Sequence, residues 1–215
     1  MTRRAMALVA AVLAAGCTDD GAHGDDAEPQ PLPLRTPILP ATPPSYDPVL
    51  PAHVQASIGP GVDNTPVDNP ITDAGALLGR VLFHDRLLSA NQTTSCASCH
   101  RLDAGVADDV AASSGFDGGL TARASMPAVE VRFYARGRMF WDERAATLEE
   151  QVLLPIQNEV EMGLTVPELV ARVAGAAYYA PLFDAASGSR GDRRRHRDGA
   201  GPVRAIDQRV VEPLG

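Results

Sequence analysis

The residues with the most specific chemistry are two cysteines and a histidine in the run Cys96-Ala97-Ser98-Cys99-His100. The spacing C-x-x-C-H is typical of the attachment site of a c-type haem. Two thiols on one helical turn can bond the two vinyl groups of one porphyrin, and the adjacent imidazole can then ligate the iron. We therefore predict one covalent haem c on Cys96 and Cys99, with His100 as its proximal iron ligand.

Two other uses of this spacing agree less well with the rest of the chain. A redox-active C-x-x-C is typical of a βαβ fold, and no such succession of strands and helices is visible. A structural zinc site needs four ligands, and the chain has no second cysteine and histidine pair that would complete them. Covalent haem attachment therefore remains the prediction.

The N-terminus predicts export from the cytoplasm. Two arginines precede an apolar run from 5 to 15, and the small residue Gly16 and then Cys17 follow. This is the pattern of a signal peptide, and the apolar run is too short for a stable membrane anchor. The run Ala14-Ala15-Gly16-Cys17 resembles a bacterial lipobox. We expect residues 1–17 to be a lipoprotein signal peptide and the mature chain to be periplasmic and lipid-anchored through Cys17; an ordinary signal peptide is the alternative.

Composition separates a spacer from the folded part of the chain. Residues 18–60 are first acidic and then rich in proline, so they favour extended, disordered conformers and hold the domain away from the membrane. The whole chain has a formal net charge of −8. A net negative charge argues against nucleic acid as a partner.

Residues 61–187 carry helical rather than strand patterns. Thr72 or Asp73 can cap a helix over 74–83, whose apolar residues lie on one stripe. Glycine-rich residues 105–119 indicate a loop. No strand-period run of any length is present, so we predict an all-α, cytochrome c-like haem domain with long loops.

Two further helices begin with the same capping signal. Thr147 and Glu150 form a T-x-x-E capping box for a helix over 148–154, which Pro155 is expected to end. The run Thr165-Val166-Pro167-Glu168 repeats the signal for the next helix. Both helices follow the C-x-x-C-H motif and complete the predicted domain.

Three longer motifs surround the haem attachment sequence in a fixed order. They are Leu78-Gly79-Arg80-Val81-Leu82-Phe83, Phe140-Trp141-Asp142-Glu143-Arg144-Ala145, and Pro155-Ile156-Gln157 with Val160-Glu161-Met162-Gly163. Together they resemble the N-terminal haem domain of bacterial di-haem cytochrome c peroxidases and of the related MauG-type proteins, over about residues 70–186.

The resemblance implies a function and three site residues. Hydrogen peroxide would be reduced at this haem, with electrons that a small donor protein, a cytochrome c or a cupredoxin, delivers to a second haem domain. In the family the tryptophan matching Trp141 lies between the haems, with plain core packing as the alternative here. Family members also carry a glutamine and a glutamate on the peroxide side, which match Gln151 and Glu161.

The chemistry of O–O cleavage assigns different roles to these two residues. A carboxylate near the iron can move a proton between the two peroxide oxygens, so Glu161 is the predicted acid–base residue. An amide can orient peroxide but cannot carry its proton, so Gln151 is the predicted orienting residue. The alternative is that both are merely exposed polar residues on helices.

Departures from the family pattern point to an open iron. The position at which many of these peroxidases hold a distal histidine falls on Phe116, as in MauG-type proteins. Where the family has Arg-Asn at a calcium site, this chain has Arg123-Ala124, and an alanine side chain offers no oxygen, which makes calcium doubtful. Met126 is an alternative sixth ligand, and His84 reads as a surface histidine.

The sequence leaves three functions open. They are a periplasmic haem peroxidase, a MauG-like oxidant of a protein, and a mono-haem electron carrier. Only one C-x-x-C-H is present, so a second haem domain is expected to be missing, and an inactive remnant is a further hypothesis. The arginine-rich tail at 188–215 lacks an apolar stripe, and the codons of residues 199–203 permit a family-like helix one base later, which predicts a reading-frame slip.

Overall fold

Six helices joined by long loops form the part of the chain that the structure describes. This computed structural model describes residues 36–46, 50–58, 61–67 and 69–187. The helices are α1 (Ala52–Ser57), α2 (Asp73–His84), α3 (Cys96–Cys99), α4 (Leu148–Gln157), α5 (Val166–Gly175) and α6 (Tyr179–Ser187). The predicted signal peptide, Cys17, the first part of the spacer and the arginine-rich tail lie outside the described residues.

Helix α2 begins where the sequence predicts. The Thr72 hydroxyl accepts a hydrogen bond from the Gly75 amide at 3.0 Å, which satisfies one of the free donors of the first turn. On the apolar stripe, Leu78 and Leu82 are fully buried at 0 % exposure. The stripe therefore faces the core, and truncating either leucine to alanine would cost roughly 2–5 kcal/mol.

Helix α4 departs from the prediction at its C-terminal end. Thr147 caps it as expected, by accepting from the Glu150 amide at 3.1 Å. The helix nevertheless continues to Gln157, so the prediction that Pro155 ends it is wrong. A proline removes one helical hydrogen bond, and so close to the helix end the remaining turn still closes, through the Asn158 amide on the Pro155 carbonyl at 3.2 Å.

Helices α5 and α6 complete the core. Thr165 and Glu168 form the predicted reciprocal capping box, and the Glu168 carboxylate accepts from the Thr165 amide at 2.8 Å. Helix α6 packs against α2. The buried residues of this core include Leu77, Leu78, Leu82, Leu88, Ile156, Leu164, Leu169, Val173, Tyr179, Leu182 and Phe183.

Strand pairing in the described residues is limited to isolated bridges. Three of them join Arg101 with Ala107, Ser114 with Leu120 and Met139 with Ala145, each closing a loop. The prediction of an all-α domain with long loops is confirmed. Within the same ranges, no helix combines the length and the apolar character needed to cross a bilayer.

Part of the segment expected to be a disordered spacer is instead ordered on the domain. Leu39 and Tyr46 pack against the core, and the Tyr46 amide donates to the Asp73 carboxylate at 2.8 Å. Helix α1 also lies between residues 18 and 60. The difference arises because two large side chains can bury apolar surface even in a proline-rich segment.

Arg172 joins α5 to the segment that leads into the C-x-x-C-H motif. Its guanidinium donates to the carbonyls of Leu87 at 3.1 Å, Ser89 at 2.6 Å and Ala90 at 2.8 Å. The Ala90 amide in turn donates to the Met162 carbonyl at 2.7 Å. One side chain therefore fixes the backbone that precedes the haem motif and, through it, the loop that carries Glu161.

Candidate haem site

The two cysteines and the histidine lie on one turn, as the motif requires. Helix α3 spans Cys96–Cys99, and the His100 amide closes the turn on the Cys96 carbonyl at 2.9 Å. Ser95 begins the helix, with its amide donating to the Ser98 hydroxyl at 3.0 Å. Both cysteines are free thiols. Two thiols and an imidazole on one turn are the donor set that a c-type haem needs.

The ring of His100 is oriented by a backbone carbonyl. Nδ1 lies 3.2 Å from the Val106 carbonyl oxygen. A carbonyl only accepts, so Nδ1 carries the proton and Nε2 keeps the lone pair that an iron would use. The Ala128 amide donates to the same oxygen at 2.9 Å, which holds it in place. The residues present therefore fit a haem whose iron is ligated by Nε2.

Val106 adopts an unusual backbone conformation to make this contact. It is 5 % exposed and has a φ of +56°, in the left-handed region that a β-branched residue rarely enters. Such a conformation costs about 1–3 kcal/mol and persists only where the surrounding structure enforces it. Here it directs the carbonyl at His100, so Val106 is a positioning residue for the predicted iron ligand.

Burial keeps the attachment residues neutral. Desolvation raises the pKa of the Cys96 thiol to about 12 and also raises that of Cys99. Desolvation lowers the pKa of His100, partly offset by hydrogen bonding to the backbone of Val106 and Met126. The neutral imidazole keeps the lone pair that an iron would use, and the two thiols are the groups that would add to the vinyl groups of a haem.

Glu161 lies in the loop after α4, not on a helix, and it is half-buried. The Asn158 side chain accepts from the amides of Val160 at 2.9 Å and Glu161 at 3.1 Å, which fixes this loop. Desolvation raises the pKa of Glu161, and Arg144 opposes the rise. The carboxylate also acts electrostatically on both motif thiols. The alternative of an exposed helical glutamate is therefore wrong.

Phe116 lies directly against the Glu161 loop. Its amide donates to the Glu161 carbonyl at 3.1 Å. A Cβ added at Gly163 would lie 2.6 Å from the phenyl ring, and one added at Gly115 would lie 1.6 Å from the Val160 carbonyl. Only glycine permits this close approach at both places. Phe116, whose side chain cannot ligate iron, is therefore bound through its backbone to the loop that carries Glu161.

Trp141 is on the surface of the described domain. It is 58 % exposed, so the alternative of core packing is wrong. Its indole nitrogen donates to the Ala124 carbonyl at 3.0 Å, which fixes the ring without burying it. A large aromatic side chain held rigidly in solvent is typical of an interaction surface.

The hairpin that presents Trp141 is strained and tightly bonded. Phe140 and Glu143 have φ values of +70° and +55°. The Arg144 guanidinium stacks 3.5 Å from the centre of the Phe140 ring, and Arg138 donates to the Glu143 carbonyl at 2.8 Å. Because Arg144 also acts on Glu161, the F-W-D-E-R-A motif links the exposed tryptophan to the loop of the predicted acid–base residue.

The structure also shows where three other candidate residues lie: Gln151, His84 and Met126. Gln151 is half-buried on α4, and His84 is exposed at the end of α2, as predicted for a surface histidine. The backbone of Met126 is a hydrogen-bond partner of the His100 ring. Met126 therefore lies next to the histidine that would ligate the iron.

Sequence reasoning missed several residues that support the site. Arg172 and the Asp85 carboxylate, which two tyrosines contact, act through contacts between distant parts of the chain. Val106 acts on the nearby His100. Only Val106 had a local signal, since it follows Gly105 in a glycine-rich loop and both have positive φ.

Fold and site together define a helical, cytochrome c-like haem domain. Residues 73–208 match the family model described as di-haem cytochrome c peroxidase. The chain belongs to this family, whose members bind haem. The matched interval includes residues 188–208 of the arginine-rich tail, which the sequence analysis separated from the family domain.

Known relatives include both MauG proteins and cytochrome c peroxidases, the two groups that the sequence motifs resemble. The chain is 37 % identical to methylamine utilization protein MauG of Methylorubrum extorquens over 125 residues, 58 % of this chain and 35 % of the relative. It is 40 % identical to cytochrome c551 peroxidase of Pseudomonas aeruginosa over 107 residues, 50 % of this chain and 30 % of the relative. The chain thus spans about a third of the length of these curated relatives.

A solved structure shares the fold. It is a MauG-like protein associated with microbial copper homeostasis, 33 % identical, with a TM-score of 0.55 over 68 % of this chain and 43 % of that one. The similarity supports the assignment of the described residues to one haem domain of this family.

Proposed function

We propose that this chain is a c-type haem peroxidase domain that carries one haem on Cys96 and Cys99, with His100 as iron ligand. Its substrate would be hydrogen peroxide, and a small redox protein, a cytochrome c or a cupredoxin, would supply the electrons. The observation that carries the proposal is the half-buried Glu161 carboxylate near both motif thiols, in a loop whose backbone Phe116 contacts. A phenyl group where many relatives hold a histidine would give the iron no side-chain ligand there, and the carboxylate can handle protons.

The proposed roles follow from the side chains. When bound, the haem supplies the redox chemistry that no side chain here provides. Glu161 takes the proton from the inner peroxide oxygen and returns it to the outer one; the raised pKa of Glu161 brings it closer to neutral pH, where such an exchange is most efficient. Gln151 orients the peroxide through its amide.

Trp141 is the proposed point at which electrons enter the domain. Its exposure and its fixed indole support contact with another haem domain or with a donor protein. The same feature favours a second candidate, a MauG-like oxidant that draws electrons from a protein, because the chain is also similar to MauG proteins. The two candidate functions differ in their substrate. A peroxidase would act on peroxide alone, whereas a MauG-like oxidant would also act on a protein.

The electron carrier is a further alternative. It would need a sixth iron ligand, for which Met126 is the candidate, and the spin state of the ferric haem distinguishes it from the peroxidase. We further propose a periplasmic location with a lipid on Cys17. Calcium at Arg123-Ala124 stays doubtful, because the alanine side chain offers no oxygen.

The test is the reaction of the ferric, haem-loaded chain with peroxide in a stopped-flow instrument. Glu161→Gln should slow this reaction by about 10²-fold or more, the usual size of an acid–base contribution. Cyanide affinity should change little, because cyanide binding needs an open iron but no proton transfer between oxygens. Glu159→Gln, an exposed glutamate of the same loop, is the matched control and should react at the wild-type rate.

Two results would contradict the proposal. Equal peroxide rates in Glu161→Gln and wild type would remove Glu161 from the mechanism. A purely low-spin ferric spectrum that Met126→Ala converts to high-spin would support the electron carrier instead.

A further inference from the structure

Two neighbouring tyrosines share one carboxylate oxygen close to the haem motif. The hydroxyls of Tyr178 and Tyr179 lie 2.5 Å and 2.7 Å from Oδ2 of Asp85. The other oxygen, Oδ1, accepts from the Leu87 amide at 2.9 Å and caps the short 3₁₀ turn Arg86–Leu88. Capping uses only Oδ1, so the two phenols on Oδ2 are additional to what the backbone requires.

The two phenols form a path from the interior to the surface. Tyr179 is 1 % exposed, whereas Tyr178 is half-buried. Their ring centres are 4.6 Å apart, within contact distance. Tyr179 also lies near enough to Cys96 for the thiol to act on its phenol electrostatically, and Cys96 packs against the core that contains Tyr179. The buried end of the path is therefore beside the haem attachment site.

The environment favours phenols that lose a proton only together with an electron. Desolvation and the Asp85 carboxylate both raise the pKa of Tyr178 and of Tyr179, so neither ionises at physiological pH. Oxidation of a phenol makes it a strong acid, and a carboxylate at 2.5–2.7 Å can accept the proton at once.

We propose that Tyr179, Tyr178 and Asp85 form a proton-coupled electron relay between the surface and the haem site. The proposal rests on the proposed function, which supplies the oxidant, hydrogen peroxide, at that site. It adds a route for electrons distinct from Trp141.

The relay balances electrons and protons at each passage. Tyr179 gives one electron toward the haem site and its phenolic proton to Oδ2 of Asp85, leaving a neutral tyrosyl radical and a carboxylic acid. Tyr178 then gives one electron to the Tyr179 radical. The proton on Oδ2 of Asp85 returns to Tyr179, and the phenolic proton of Tyr178 moves to Oδ2 in its place. The reduced donor protein supplies one electron to Tyr178, and Asp85 returns the proton. Two passages, with two protons from solvent, reduce one peroxide to two waters.

The first test is electron paramagnetic resonance of the haem-loaded full chain, frozen rapidly after one equivalent of peroxide. A neutral tyrosyl radical is expected, identified by its altered line shape when the chain contains ring-deuterated tyrosine. Tyr179→Phe should lose it. Tyr178→Phe should leave a radical on Tyr179 that ascorbate removes more slowly. Tyr134→Phe, an exposed tyrosine of the loop before Trp141, is the control and should match wild type.

The second test replaces peroxide with photogenerated tris(bipyridine)ruthenium(III), so that it does not depend on the peroxidase reaction. In a Tyr134→Phe background, which removes the exposed tyrosine of the loop before Trp141, Tyr178→Phe should lose the tyrosyl radical formed by this surface oxidant. Asp85→Asn keeps an oxygen for the Leu87 amide but cannot take a proton, so the effect of deuterated solvent on radical formation should disappear. Visible and circular dichroism spectra of each variant establish that haem and fold are retained.

The outcomes separate the relay from the proposed function. If peroxide changes the haem spectrum but neither oxidant gives a tyrosyl radical that depends on Tyr178 or Tyr179, the relay is refuted while the peroxidase proposal stands. If peroxide leaves the haem spectrum unchanged, the peroxidase proposal fails, and the ruthenium experiment alone decides on the relay. Tyrosyl yields equal to wild type in both phenylalanine variants overturn it.

Discussion

Arg172 provides a quantitative test of how the domain positions its site. Its guanidinium donates to three carbonyls, those of Leu87, Ser89 and Ala90, at 2.6–3.1 Å. A hydrogen bond with one charged partner contributes about 1.5–3 kcal/mol. Because the three bonds share one half-buried side chain, we expect Arg172→Ala to lower the free energy of unfolding by roughly 3 kcal/mol rather than by the full sum.

The assays are unfolding of the haem-loaded chain in guanidinium chloride and by heat, both followed by circular dichroism. For a domain of this size about 1 kcal/mol shifts Tm by roughly 4 °C, so the alanine variant should melt about 10 °C or more lower. Arg172→Lys retains the charge but not the planar fork, and it should recover about half of the loss. Arg80→Ala, an exposed arginine on α2, is the control and should stay within about 0.5 kcal/mol of wild type.

A loss below about 1 kcal/mol in Arg172→Ala, or one equal to that of the control, would refute the reasoning. The alanine variant should also react more slowly with peroxide, because the Ala90 amide holds the Met162 carbonyl next to Glu161. If the lysine variant regains stability without regaining this rate, the guanidinium fork itself positions the loop.

Three shorter predictions concern the peroxide side. Burial raises the pKa of Glu161, so the rate with peroxide should fall as the pH drops through a midpoint above the usual glutamate range, and Glu161→Gln should lack this limb. Gly163→Ala should destabilise the domain by about 2 kcal/mol, since φ is +70° and its Cβ would strike Phe116; Gly105→Ala, with the same φ but open space, should cost about half as much in denaturant unfolding. Met126→Ala should leave the spin state of the ferric haem unchanged in visible spectra.

The helix starts could be predicted because they depend on local chemistry. Thr72, Thr147 and Thr165 each accept an amide of the first turn, as the capping patterns predict. The end of α4 could not be predicted in the same way. Whether a proline ends a helix depends on how the next residues pack, and Ile156 is fully buried in the core, which favours one more turn.

The sequence predicted which residues of the C-x-x-C-H motif would bind haem, but not the backbone contacts that orient them. The spacing of Cys96, Cys99 and His100 fixes the donor set without any tertiary information. The carbonyl of Val106, by contrast, reaches His100 only because Val106 adopts a left-handed conformation that valine disfavours. Conformational preferences argue against a left-handed valine, so this conformation could be recognised only from the structure.

Long-range contacts were beyond the sequence. The resemblance placed Trp141 between two haems, with core packing as the alternative, and only the fold shows that Trp141 is 58 % exposed and donates to the Ala124 carbonyl. Arg172 and the Tyr178–Tyr179 pair contact residues more than 80 positions earlier in the chain. No periodicity or spacing in a single sequence encodes such pairs.

The central claim is that Cys96 and Cys99 hold a haem covalently beside His100. The most direct measurement is the intact mass of the mature chain, produced with periplasmic haem attachment, after acid–acetone extraction. We predict a mass that exceeds the polypeptide by one haem, with the haem absorption staying with the protein, and loss of both in the double variant Cys96→Ser and Cys99→Ser. A wild-type chain that releases its haem to the solvent and has the bare polypeptide mass would contradict the account.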